Sequence, residues 1–382
     1  MSNPPSDWYV DPSIAGNSGT GIISDPYGDI QYALDQVGTS PGQDTTDGDR
    51  FNILAGTAES LAASLSLATY GTPGAGGPLI FQGYTSAQGD GGVGAIDLNG
   101  NTLFSTDPPD TLIYDMDLSD GPAAGAMWRM GADCVASRLY AHDSDGHGLM
   151  TVGPACQIVN VRVEDVGDDA PTPYYGLEIT GNNCLVYGCY IKAGATRNMS
   201  AAIHADALVV PIVNNIISID GPSSGVVVDG NFFPTWVVGN TIFSDGGTGH
   251  GIDVTSILGP VSLAVLNNYV EGFSGASGIG INVTQDSIGG GIYGHNALFN
   301  NATNENFVNE LFHTLGDNEV LSATGLAKTG SDTFANRLAY FAAMNGGNMK
   351  KNSYPGLHAK GAVQRVYDLA MLTGAGNLVN VG

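Results

Sequence analysis

The middle of the chain alternates apolar and polar residues in short bursts, and the bursts recur. Six segments share one form: a small residue, an apolar one, any residue, an apolar or small one, then mostly Thr or Asp. They are GLMTV from Gly148, GLEIT from Gly176, AIHAD from Ala202, GVVVD from Gly225, GIDVT from Gly251 and GINVT from Gly280, spaced 28, 26, 23, 26 and 29 residues apart. A second series interleaves with them: IVNVRV, VYGCYI, VNNIIS, VGNTIF, LNNYVE and YGHNAL. Its anchor positions are Val161, Cys189, Asn215, Asn240, Asn268 and Asn296. Alternation with period two marks strands of about five residues. Two series drifting together mark a repeat of some two dozen residues, which is one coil of a β-solenoid.

In such a stack each strand pairs with its counterpart one coil away, about 4.8 Å off, and side chains form files along the axis. The four anchor asparagines are expected to hydrogen-bond to one another and to the turn backbone, as stacked amides do. Cys134, Cys156 and Cys184 lie five residues before anchor positions. No CxxC pair accompanies them, so they read as small apolar fillers of a narrow interior. LIYDMDL with Met116 and VASRLY with Leu139 extend the stack backwards. GPLIFQGYT from Gly77 and GAIDLNGNTLF from Gly94 read as two still earlier coils, giving roughly nine coils in all.

Both ends of a solenoid expose strand edges and need covering. Asp25-Pro26 reads as a helix start, followed by Ile30, Ala33, Leu34 and Val37 at i, i+3, i+4 and i+7. DRFNILAGT is then a strand. Beyond Asn301, NENFVNELFHTL reads as a helix and DTFANRLAYFAAM as a second helix or a helix-strand pair. The organisation expected is an arm, capping helix and first strand over 1–60, the solenoid over 61–300, and a C-terminal cap or attachment section over 301–382.

The segments SDPYGDIQYALDQV and GDRFNILAGT resemble the opening of right-handed parallel β-helix proteins of the pectate-lyase-like group. There a helix with an IQ-AL core precedes a first coil of the form GD-strand-GT. SYPGLHAKGAVQRVY from Ser353 is similar to a closing motif of many such chains, with Ala359-Lys360 in place of the usual Asp-Ile. The resemblance implies an all-β, right-handed parallel β-helix with an N-terminal helical cap and a distinct C-terminal section. It leaves activity open, because this fold carries lyases, hydrolases, phage spikes and purely structural proteins.

Charge narrows the partners. The chain has 12 Lys+Arg against 37 Asp+Glu, a formal charge of -25. Nucleic acid is excluded as a partner, since phosphate binding needs a basic footprint. No apolar run of eighteen residues is present and the N-terminus lacks the pattern of a secretory leader, so no membrane span and no export signal are expected. Six of the twelve bases fall between Lys328 and Arg365, so the C-terminal section is expected to meet an acidic surface such as a neighbouring subunit.

Two outward clusters are candidates for chemistry. One file runs Met150, Glu178, His204, Val227, Asp253, Asn282. Glu178 and His204 are rung neighbours in it, about 5 Å apart and suited to acid–base work, with Asp253 two coils beyond. The other is the acidic turn of His142, Asp143, Asp145 and His147. There Asp143 aligns with Asp165 of the next coil, near Glu164, Asp168 and Asp169. Stacked carboxylates repel unless protonated or bridged by a cation. Asp143, Asp145, Asp165 and Asp168 are therefore candidate Ca2+ ligands, and Asp143 and Asp165 a candidate acid pair for glycoside hydrolysis. Arg162 and Lys192 are the bases expected near them. The reading that fits these features is a phage virion structural protein, a capsid decoration or spike. It would be a homotrimer docked to other virion proteins, a non-enzyme located in the virion and able to meet a host-surface glycan. The alternatives are a polysaccharide lyase or hydrolase, free or as a tailspike, and a surface adhesin.

Overall fold

A computed structural model describes residues 6–320 apart from 40–47, 74–76, 168–172, 194–196, 230–234, 256–261, 285–289, 295, 308–311 and 315–318. The repeat folds as a parallel β-solenoid of about 9 turns with very little helix. Each full coil lays down three strands, one on each of three sheets. Sheet 1 holds Asp49–Leu54, Leu79–Tyr84, Gln157–Val159, Leu185–Tyr187, Pro211–Val213, Thr235–Val238, Ser262–Leu266 and Gly290–Gly294. Sheet 2 holds Ala58–Ser60, Gly94–Asp97, Arg162–Val166, Tyr190–Lys192, Ile216–Ile219, Thr241–Ser244, Tyr269–Glu271 and Ala297–Phe299. Two long strands, Thr111–Ser119 and Val135–Ser144, run through the corner and belong to both, so these two sheets form one continuous ladder. Sheet 3 is an eight-stranded ladder from Ala126–Met130 to Thr303–Phe307.

The first series of segments is sheet 3. Leu149, Leu177, Ile203, Val226, Ile252 and Ile281 pair in one inward file, each at most 1% exposed. The second series turns the corner from sheet 1 to sheet 2. The residue before each anchor takes the left-handed conformation: Asp115, Arg138, Asn160, Gly188, Asn214, Gly239 and Asn267, with φ between 50° and 69°. A branched side chain is strained there, whereas Asn, Asp and Gly are not. That explains the doubled asparagines of VNNIIS and LNNYVE. The first turns the corner; the second faces inward.

The inward asparagines form the expected ladder. Asn215 donates from N and Nδ2 to Asn240 Oδ1 at 3.0 and 2.9 Å. Asn240 does the same to Asn268 Oδ1, and Asn268 to Asn296 Oδ1, at 2.9 to 3.0 Å. Cys189 N–H caps the file by donating to Asn215 Oδ1. Each Nδ2 also donates to a sheet 1 carbonyl, from Val186, Ile212, Val237 and Val265 in turn. Buried amides with every group paired fix the register of the stack. The cysteine file is buried and carries no disulfide, with Cys134 and Cys156 thiols donating to the Pro108 and Gly131 carbonyls.

Three expectations are corrected. GPLIFQGYT and GAIDLNGNTLF are one coil, not two: Leu79–Tyr84 and Gly94–Asp97 pair with successive halves of Thr111–Ser119. The helix starts at Ile30 rather than at Asp25-Pro26, because Asp29 caps it by accepting from Tyr32 N–H at 2.6 Å. The described residues of NENFVNELFHTL are not helical. Thr303–Phe307 and Phe312–Thr314 are strands that continue the ladders of Ile279–Val283 and Gly290–Gly294, as an open parallel edge offers hydrogen bonds that a lone amphipathic turn lacks. DTFANRLAYFAAM and SYPGLHAKGAVQRVY lie outside the described residues.

The helix Ile30–Thr39 buries Ile30, Ala33, Leu34 and Val37 in the same core as the coils. Its N-terminus meets Glu59, whose two carboxylate oxygens accept from Ile30 N–H at 2.9 and 3.1 Å. Burial, reinforced by neighbouring Asp29, pushes the Glu59 carboxyl up to about 8. A folded pKa above the unfolded value gives a contribution that is complete below about 4.5 and lost as pH rises through about 8. Glu59→Gln is therefore expected to gain on wild type by on the order of a few kcal/mol between pH 5 and 9. Denaturation midpoints of both proteins across that range check it, and a gap independent of pH would contradict it.

Candidate functional site

The outward file on sheet 3 is in the expected register: Met150, Glu178, His204, Val227, Asp253, Asn282 and then Asn306 pair rung by rung. Inward neighbours Leu177, Ile179, Ile203 and Ala205 belong to the core, so the pleat forces Glu178 and His204 outward. The two stand close, with Glu178 Oε1 3.9 Å from His204 Nδ1. His204 Nε2 lies 3.0 Å from Asp229 Oδ1. With Nε2 turned to that carboxylate, Nδ1 is the ring nitrogen that faces Glu178. Tyr175, three residues before Glu178, stacks on the His204 ring at 4.2 Å and 22°.

His147 closes the group from the preceding coil. Its Nδ1 accepts from Tyr175 N–H at 3.2 Å and lies 3.4 Å from Glu178 Oε2. Burial pushes the His147 pKa down to about 4, so the ring is neutral at physiological pH. A neutral acceptor attracts that carboxyl only when the carboxyl holds a proton. Burial likewise raises the Glu178 pKa, which favours that proton. Glu178 Oε2 and His204 Nδ1 are both buried with no hydrogen-bond partner. Two unpartnered buried polar atoms this close together mark a place where a proton or a ligand group would be held. Further along the file, burial raises Asp253 as well, and Asn282 Nδ2 donates to it at 2.8 Å. Asn306 Nδ2 donates to Asn282 Oδ1 at 2.7 Å. Val227 separates the two polar stretches, so Asp253 does not join Glu178 and His204.

Sequence reasoning named Glu178 and His204, assigned His147 to the acidic turn, and missed Asp229 and Tyr175. Asp229 is the closing residue of GVVVD, one coil after His204 and just past the strand Ser224–Val228. Its place at the strand end, and not its rung, brings it back to the imidazole.

The acidic turn forms a different cluster, at the end of sheet 2. Asp120, Asp143 and Asp165 are left-handed corner residues with φ of 53°, 57° and 51°. Their recurrence is thus first a backbone requirement. The cation between them belongs to the chain. Arg197 reaches Asp145 at 2.6 Å, Asp165 at 3.2 Å and Asp143 at 3.5 Å. Arg197 adds to the two bases expected here, of which Arg162 does reach one of the acids named with them. Arg162 pairs with Glu164 at 2.8 Å and lies over the Tyr140 ring. Arg197 lies eight residues past Cys189, outside the repeated strand positions, so the period did not point to it. His142 sits between Asp117 at 2.9 Å and Asp143 at 2.6 Å, and the hydrogen bond to Asp117 raises its pKa. Asp168 lies outside the described residues, and among the described residues no group of three or more His, Cys, Asp or Glu is arranged to hold a metal ion. No helix among them is long and apolar enough to cross a membrane.

The sequence matches no family description and no curated protein. Solved structures are similar in fold. A complex of XylC with xylose aligns with a TM-score of 0.55 at 10% identity, over 78% of this chain and 70% of that one. A tailspike protein mutant of E. coli bacteriophage HK620 in complex with a pentasaccharide aligns at 0.45 and 14%, over 77% of this chain and 61% of that one. Pectate lyase Pel9A aligns at 0.45 and 11%, over 84% and 79%. With three parallel sheets, an inward asparagine ladder and the opening motif all in place, the chain resembles the right-handed parallel β-helix proteins of the pectate-lyase-like group.

Proposed function

We propose that the protein is a structural rod of a phage particle, displayed on its surface, that engages polysaccharide along sheet 3. The observation that carries this reading is the outward polar file itself. Tyr175, Glu178, His204 and Asp229, then Asp253, Asn282 and Asn306, present an aromatic ring, carboxyls and amides at strand spacing of about 4.8 Å. Saccharide recognition calls for an aromatic face beside planar hydrogen-bonding groups held rigidly. A fold neighbour that holds xylose makes sugars the first ligands to try. In this reading the helix Ile30–Thr39 caps the first coil within an N-terminal unit of residues 1–60. The coils over 61–300 form the rod, and 301–382 the attachment section, with three copies per rod.

A second reading, a polysaccharide hydrolase or lyase, is favoured by one feature. Glu178 is a carboxyl raised by burial beside a histidine whose Nε2 turns to Asp229.

A panel of host-surface polysaccharides is the test. Wild type is expected to bind at least one, and Glu178→Gln and Asp253→Asn each to weaken it about tenfold, or about 1.4 kcal/mol. Asp143→Ala, in the acidic corner, is expected to leave binding unchanged. Shortened saccharide products would move the assignment to the enzyme. Wild type that binds nothing on the panel would remove the glycan role, and recovery of the chain only apart from purified particles would remove the virion role.

A further inference from the structure

Acidic and basic residues are unevenly placed around the sheet 3 site. Residues 198–327, which supply its C-terminal strands, hold eleven Asp and Glu and no Lys or Arg. Asp206 and Asp229 follow directly on the strands Ala201–Ala205 and Ser224–Val228. Their N–H groups donate to the Ile179 and Ala205 carbonyls at 2.9 and 3.2 Å. The two acids therefore hold the same place on successive coils, one step of about 4.8 Å apart. Their charges act on the site. Burial raises the Glu178 carboxyl, and Asp206 and Asp229 add to the rise against the pull of His204. The Tyr175 phenol is raised by burial, then by Glu178, Asp229 and Asp206. At the acidic corner of sheet 2, by contrast, Arg197 stands among the stacked carboxylates. The outward file of sheet 3 has one such cation among the described residues, Arg129, two rungs before Glu178. Asp107 already holds it at 2.9 Å. What lies among the sheet 3 acids is imidazole. His204 Nε2 meets Asp229 at 3.0 Å, and His147 is a ring that burial keeps neutral at physiological pH.

A separate observation points to a ligand. The His204 side chain is only 10% exposed, yet its Nδ1 and the neighbouring Glu178 Oε2 have no hydrogen-bond partner. A sugar hydroxyl or amine brings a proton for a carboxylate to accept. A carboxylate, sulfate or phosphate brings none, and sets like charge beside Glu178, Asp206 and Asp229. We propose that sheet 3 selects glycans free of carboxylate, sulfate and phosphate, and that Asp206 is a residue that sets this selectivity. The selectivity rests on the reading of sheet 3 as a glycan-binding face. Asp206 is exposed and lies past the strand end, so its charge meets an approaching polymer while its side chain stays out of the core.

The test uses the full chain and matched pairs of polymers, so that linkage and length stay constant. Each neutral polysaccharide that wild type binds is paired with the same polymer after oxidation of its primary alcohols to carboxylates. Each carboxyl-bearing one is paired with its form reduced to neutral sugars. In every pair the carboxylate form is expected to bind about tenfold more weakly, with the gap narrowing as salt screens the charges. Asp206→Lys is expected to cut the ratio of the two affinities about fivefold, and Asp206→Asn by less. Hydrogen exchange of the sheet 3 amides, measured on the same samples, shows that the coils of each variant remain folded. Carboxylate forms that bind wild type as tightly as their neutral partners would overturn the selectivity and leave the glycan reading in place. An affinity ratio unmoved in a folded Asp206→Lys would overturn the role of Asp206. Wild type that binds neither member of any pair would remove the glycan reading and the selectivity with it.

Discussion

Asn240→Ala is expected to lower stability by about 4 kcal/mol, a large loss for one small polar side chain. Asn240 is 1% exposed, and its amide makes bonds on three sides. Oδ1 accepts two protons from Asn215, while Nδ2 donates to Asn268 Oδ1 and to the Ile212 carbonyl. Alanine leaves the Asn215 N–H without its acceptor in an apolar interior, takes one of two acceptors from Asn215 Nδ2, and removes a donor from the Ile212 carbonyl. Each such group costs roughly 1–3 kcal/mol, because water cannot replace the lost partner. Asn301→Ala should cost less: its Oδ1 accepts from the Phe273 N–H and its Nδ2 donates to the Val270 carbonyl, but the side chain is only half-buried, so water can replace part of what is lost. Urea denaturation of both variants measures the difference. A loss under about 1 kcal/mol for Asn240→Ala would mean that the file is decorative.

Gly251→Val is expected to cost at least about 3 kcal/mol, by overpacking. The small residue that opens each sheet 3 segment faces the next coil. A Cβ on Gly251 would collide with Val270 Cγ1 and stand 2.5 Å from the Gly280 carbonyl oxygen. The same clash repeats along the file: Gly148 against the Gly176 carbonyl at 2.5 Å, Gly176 against that of Ala202 at 2.6 Å, and Gly280 against that of Asn304 at 2.6 Å. The obstacle is backbone, which a rotamer change cannot relieve, so two coils must part. Gly221→Ala is the contrast. It meets open space and is strained only by its φ of 68°, so about 1 kcal/mol is expected. Equal losses at Gly251 and Gly221 would show that backbone freedom, not coil spacing, selects glycine here.

These two files explain how much of the architecture can be read from residues. Inward asparagine and close-approach glycine are requirements of stacking, so they recur in register and reveal the coil length. The N-terminal coils hid their count because two strands of one coil, Leu79–Tyr84 and Gly94–Asp97, each look like a coil start when the corner between them is long. The strands after Asn301 were misread because a 3–4 spacing of apolar residues mimics a helix when an open edge is what selects the strand. Of the outward site, Glu178 and His204 were visible as rung neighbours, since a rung is fixed by period alone. Asp229 and Arg197 were not, because both reach their partners from corners, where the path of the chain is set by local φ and no longer by the repeat.

The claim underlying all of this is that successive coils stack in register at strand spacing. Spin labels at Met150→Cys and Asn306→Cys, six rungs apart on the outward file of sheet 3, measure it directly. Six steps of about 4.8 Å predict a narrow distribution centred near ~29 Å. Moving the first label to Val227, three rungs nearer, should roughly halve it. A broad distribution, or a distance that does not scale with the number of rungs, would contradict the stack and every assignment built on it.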